Sequence, residues 1–107
     1  MGRFLLLWRV NWDRWPVQDL SKHLEMNEKL WKVMDDLMKK GIVKDYGIFP
    51  EGESGFLIGE GDAITVFKNA SMFVPYVSSE VHEIIPFEKQ KEITRGILQA
   101  QIAAMKK

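Results

Sequence analysis

The sequence predicts an α+β domain, and three observations carry that expectation. Apolar runs of strand length, Phe4 to Val10 first among them, alternate with stretches of helical periodicity. Pro and Gly stand at the joints between these segments. The resulting order is strand, helix, strand, strand, helix, strand, followed by one further helix.

Phe4 to Val10 is aliphatic or aromatic at nearly every position, the pattern of a strand covered on both faces. The segment Asn11 to Pro16 reads as a loop, because Pro16 holds Trp15 extended. From about Val17 to Lys40, Leu20, Leu24, Trp31, Met34 and Met38 recur at helical spacing, with Leu30, Val33 and Leu37 widening the stripe. On that spacing Trp31 and Met34 are expected in the core. Lys39 and Lys40 suit the negative end of this helix, and Gly41 suits a left-handed stop. Ile42 to Phe49 and Gly55 to Glu60 read as a hairpin turning through Pro50-Glu51-Gly52-Glu53. Asp62 is placed to cap the next helix, whose expected buried face is Ala63, Val66, Phe67, Ala70 and Phe73. Val74-Pro75 ends it, Val77 to Ile85 forms the fourth strand, and Phe87 to Lys106 forms a helix with two apolar stripes. Ile93, Ile97, Ala100 and Ala104 make one stripe, and Leu98, Ile102 and Met105 the other, which suggests two neighbours.

Composition narrows the classes of function. A chain of 107 residues, 46% apolar, suffices for one domain with a core, here core 3–86 plus helix 87–106. Fifteen Lys and Arg balance fifteen Asp and Glu, so no net field favours nucleic acid or an anionic membrane. With no cysteine there are no disulfides, thiolate nucleophiles or zinc-thiolate sites. Arg9 ends the first apolar run too early for a signal-peptide core, so the Asn69-Ala70-Ser71 sequon carries no weight and a cytoplasmic setting is expected. His23 and His82 are the only histidines, too few for a specific metal site, and no cofactor is expected. Gly59-Glu60-Gly61-Asp62 lacks the third glycine of a nucleotide loop, and its two acids would repel phosphate.

The element order is that of the split βαβ, ferredoxin-like folds. Right-handed crossovers are expected to place the first and third strands side by side and parallel, with the second and fourth at the edges. Helices on one face leave the other exposed. Because Leu5 and Leu7 lie on one side of the first strand and Phe4, Leu6, Trp8 and Val10 on the other, both faces are apolar. Sheet-to-sheet pairing into a homodimer, or a higher homo-oligomer, is the expected cover.

One resemblance bears on this. Lys40-Gly41, the hairpin, Met72-Phe73-Val74-Pro75-Tyr76 and the strand Ser79-Glu80-Val81-His82-Glu83-Ile84 together resemble the muconolactone isomerase-like proteins of the dimeric α+β barrel superfamily. The resemblance covers the second half of the chain and implies an antiparallel four-stranded sheet packed into a dimeric α+β barrel. It transfers no catalytic set. Such folds also host haem-degrading enzymes, whose pattern sets a tryptophan in the second half; here no tryptophan follows Trp31.

The expected site lies inside that barrel. With Val77, Val81 and Ile85 toward the helices, Ser78, Glu80 and His82 share the opposite face with Arg9 and Asn11. A cross-strand Arg9–Glu80 pair is expected. It is either a salt bridge neutralising buried charge or an anion-orienting arginine beside a general base. Histidine is the side chain best suited to proton transfer near neutrality, so His82 is either a candidate base or a plain surface residue. Trp12, Trp15, Tyr46 and Tyr76 either stack on a planar ligand or pack over helix ends and the dimer seam. Two functions follow: a cofactor-independent, isomerase-like enzyme on a small carboxylated or aromatic metabolite, with Glu80 or His82 as catalytic base and Arg9, Asn11, Trp12 and Tyr76 binding substrate; or a non-catalytic small-molecule-binding or assembly module.

Overall fold

The structure, a computed structural model, describes residues 2–106. Its elements are β1 (Gly2–Val10), a 3-10 turn (Trp12–Arg14), α1 (Leu20–Lys39), β2 (Val43–Ile48), β3 (Ser54–Gly61), α2 (Ala63–Ser71), β4 (Val77–Ile84) and α3 (Phe87–Met105). The architecture is α+β, a four-stranded antiparallel sheet in the order β2-β3-β1-β4 with three helices. This order is compatible with a ferredoxin-like arrangement.

The parallel pairing expected between the first and third strands is corrected. They run antiparallel, with Leu6 opposite Leu57 and Trp8 opposite Gly55. A tight hairpin forces β2 and β3 antiparallel, and the helical crossover leaves β1 and β2 pointing the same way with β3 between them. The expected edges hold: β2 and β4 flank the sheet. The β2 edge is interrupted by a bulge between Val43 and Asp45.

α1 starts later than the periodicity suggests. Asp19 is its cap, its carboxylate accepting from the Lys22 N–H at 3.2 Å, and residues 17–18 stay in the turn before it. Its end is as expected. Gly41 adopts φ 76°, and the N–H groups of Gly41 and Ile42 donate to the carbonyls of Met38 and Leu37 at 3.1 and 3.0 Å. This is a complete Schellman closure.

The core is small and lies between the sheet and the helices. One cluster is Phe4, Leu6 and Val66; the other is Met34, Leu37 and Val43; Leu57 packs against both. The expectation that Trp31 belongs to the core is overturned: it is 52% exposed, and Leu20, Leu24 and Met38 are also exposed. The apolar arc of α1 is wider than the side it turns to the sheet, and Met34 and Leu37 fill that side. Phe67 on α2, expected inside, is 71% exposed for the same reason, Val66 having the inward position.

Trp8 organises the centre. Its ring stacks on Tyr46 at 5.6 Å between centroids and 8° between planes, and its Nε1–H donates to the Phe56 carbonyl at 3.2 Å. It can lie so close to the sheet only because Gly55 faces it. A Cβ at that position would overlap both the Trp8 indole and the Gly47 carbonyl oxygen.

α3 stands apart. None of its residues is buried, and the chain measures 72 × 27 × 23 Å. Its radius of gyration, 19.3 Å, compares with about 13 Å for a compact chain of this length.

Two outcomes test this account. Gly55→Ala is expected to lower unfolding stability by about 1–3 kcal/mol, read from the urea midpoint, because an overpacked ring must move. The second concerns acid. A hydrogen bond from Arg3 at 3.0 Å, with Lys44 at 3.7 Å, holds the Glu60 carboxyl below its ordinary range. A depressed folded pKa gives stability that is present above the unfolded pKa and lost as pH falls through the folded one. The urea midpoint should therefore fall as the buffer is acidified through the carboxylate range, and Glu60→Gln should flatten that fall at low salt.

Candidate functional site

α1 rests on the sheet through its C-terminal half, where Met34 and Leu37 are buried; none of its first fourteen residues, 20–33, is buried. A groove of about 330 Å³ opens beneath it, within the usual range for small-molecule sites. All four tryptophans of the chain line it: Trp8 from β1, Trp12 and Trp15 from the turn that follows, and Trp31 from α1. Its polar contributors include His23, Asn27 and Tyr46.

The mouth of the groove is an aromatic knot. His23 meets Trp12 and Trp15 edge to face at 5.9 and 5.5 Å, and the two tryptophans meet each other at 6.1 Å. Trp15 is buried and fixed, its Nε1–H donating to the Tyr76 carbonyl at 2.9 Å. Trp12 is 39% exposed, so part of its surface is available to a ligand. On the groove's floor, burial pushes the Tyr46 phenol above its ordinary pKa, so it stays a neutral donor through the physiological range.

The residues expected to carry chemistry are divided between places. Arg9, Ser78, Glu80 and His82 do share the sheet face opposite the helices, as β1–β4 pairing aligns Arg9 with Ser78, Leu7 with Glu80 and Leu5 with His82. The Arg9–Glu80 pair does not form. That register sets Glu80 across from Leu7, and Arg9 turns to Glu53 at 3.4 Å. Glu80 instead lies 3.5 Å from His82, both side chains more than half exposed. A wide, shallow depression of about 450 Å³ on this face is lined by Leu7, Arg9, Phe49, Ser54, Ser78 and Glu80.

Asn11, expected at the substrate, is a fastener. Its side-chain nitrogen donates to the Pro75 carbonyl at 2.7 Å and lies 2.9 Å from the Ser78 Oγ, tying the end of β1 to the start of β4. The backbone N–H adds a bond to the Tyr76 carbonyl at 2.9 Å. Tyr76 packs its ring edge to face on Trp15 at 6.3 Å, supporting the groove wall from behind. Trp12 does reach the groove. His23 gained no site role from spacing, since it falls beside the helical stripe, whereas Tyr46, expected either to stack on a ligand or to pack, lines the groove. The one available signal was the concentration of every tryptophan within residues 8–31.

Among the described residues, no three His, Cys, Asp or Glu side chains converge as metal ligands, and no helix is long and apolar enough to cross a membrane. Comparison of the chain with family models, curated proteins and solved structures returns no match.

Asn11→Ala should separate fastening from recognition. It is expected to lower the melting temperature by several degrees, the effect of about 1 kcal/mol in a domain this size. A direct role in ligand binding would show instead as weaker binding with the melting temperature unchanged.

Proposed function

We propose that this chain is a small-molecule-binding protein whose ligand is a planar, largely apolar compound held in the groove under α1. The observation that carries this is the convergence of all four tryptophans on one groove of ligand size, with His23, Asn27 and Tyr46 among its polar contributors. Aromatic walls bind a flat ring by stacking and area burial, and a few polar groups fix its orientation. We further read the fold as ferredoxin-like, with the opposite face of the sheet covered by a second copy in a homodimer. Leu5, Leu7, Phe56 and Ile58 share that face and are only partly buried within one chain.

Because the reporters line the site, binding is directly visible. Titration with a panel of planar aromatic compounds should quench or shift tryptophan emission with saturation, and Trp12→Ala should weaken binding about three- to tenfold by removing one aromatic contact. In Tyr76→Phe, which leaves Tyr46 as the sole tyrosine, a bound ligand should drive phenol ionisation to still higher pH by deepening its burial. Saturation without any change at Tyr46 or in Trp12→Ala would place the ligand elsewhere.

A second reading is favoured by one feature, the Glu80–His82 contact beside Arg9 on the face awaiting cover. Enclosed by a partner, these groups would suit isomerase-like proton transfer on a small carboxylated metabolite. Glu80→Gln then must abolish turnover while leaving groove binding and the melting temperature in place.

A further inference from the structure

The chain exposes more surface than a folded monomer of its mass should. At 12.4 kDa a compact protein presents about 6,100 Å² to solvent. This one presents 8124 Å², an excess of about 2,000 Å², more than twice the share of one partner in a standard interface. Much of the excess belongs to α3, whose residues Phe87 to Met105 are all exposed apart from the half-buried Lys91.

Two further observations show that α3 is not built to stand alone. A lone helix of 19 residues is marginal in water, and this one carries Gly96 at its middle and no side-chain cap at Pro86. Its apolar side is not that of a solvated helix: Ile93, Ile97, Leu98 and Ile102 are all more than half exposed, with Met105 at 84%. Both features imply packing against something outside the α3 of its own chain.

The body of the same chain offers a matching surface. On α1, Leu20, Leu24, Trp31 and Met38 recur at intervals of four and seven residues, forming an uncovered stripe along one side. From Leu20 to Met38 that stripe is about 27 Å long, and Phe87 to Met105 spans the same length. Both helices carry mixed charges paired internally, Glu25 with Lys29 on one, and Glu88 with Lys91 and Glu92 with Lys89 on the other. The chain as a whole is neutral, so no net repulsion opposes association of like with like.

We infer that α3 is an exchange arm: it docks on the Leu20–Leu24–Trp31–Met38 stripe of α1 in a second copy of this chain, and the second copy's arm is free to return the contact. Reciprocal docking of this kind closes a two-fold assembly and covers an apolar stripe on each helix. It also seats the arm against the outer side of Trp31, a wall of the groove, so that assembly stiffens the helix under which the ligand lies.

The absence of cysteine makes the test clean. Chains bearing Leu24→Cys alone or Met38→Cys alone are each mixed with chains bearing Ile102→Cys alone, equilibrated and oxidised. One of the two mixtures, according to the direction of the arm, should give a disulfide-linked heterodimer in high yield, while Ile102→Cys mixed with Asp45→Cys should not. Adding Ile97→Asp and Leu98→Asp to the arm chain should abolish the cross-link, and helical circular dichroism of the unaltered chain should fall on dilution as arms release. Both positions are more than half exposed and belong to neither core cluster, so the body should stay folded. The inference is overturned if neither mixture cross-links, or if the cross-link survives both aspartates. Disulfide formation confined within single chains that carry both cysteines would overturn it as well, as would sedimentation as a monomer with full helical signal.

Discussion

The stacking of Trp8 between Tyr46 and the bare backbone at Gly55 is the constraint on which the rest of the structure depends. An indole laid flat over a glycine brings β1, β2 and β3 into one surface with a single side chain, and its N–H is satisfied by the Phe56 carbonyl without help from water. It also sets a height. A ring lying flat occupies less depth than an upright leucine, and α1 meets the sheet only further along, where Met34, Leu37 and Val43 provide bulk. The groove is the difference between those two heights.

The knot of Trp12, Trp15 and His23 holds the groove's mouth in a different way. Edge-to-face contacts between rings have directional preference but shallow energy, so the knot can orient a planar guest without locking the site shut. Trp15 is anchored through its hydrogen bond to the Tyr76 carbonyl, in the segment that Asn11 fastens to β1. In the proposed reading, binding and folding fall to adjacent residues: Trp12 is partly exposed, while Trp15, Asn11 and the Tyr76 backbone hold the segment in place.

The pattern of strands and helices was legible because period and punctuation agreed. Gly41, Asp62 and the Pro50–Glu53 turn each stop or start an element where the structure does. The face of β1 was legible too, since Phe4, Leu6 and Trp8 are buried and alternate with half-buried or exposed neighbours. What could not be read was rotation and tilt. Trp31 and Met34 are equivalent on spacing, and only the angle at which α1 meets the sheet makes one exposed and the other core. The Arg9–Glu80 expectation failed by a single cross-strand step, Ser78 being opposite Arg9. A groove formed where packing is absent leaves no periodic trace, so His23 had no pattern to announce it.

The bulge at Val43–Asp45 has a consequence for the company this chain keeps. An open sheet has two edges of unpaired backbone, each a template for another strand. Here one edge is broken by the bulge with Lys44 and Asp45 beside it, and the other carries Glu80, His82 and Glu83 before Pro86 ends it. The helices, by contrast, leave apolar side chains uncovered among their charges, Leu20, Leu24 and Trp31 on α1 and Ile93 and Ile97 on α3. Attachment is thus discouraged where it would be indiscriminate, through main-chain hydrogen bonds that any sequence can make, and invited where side-chain shape decides. A protein guarded in this way can be adhesive toward one partner without being prone to grow into fibres.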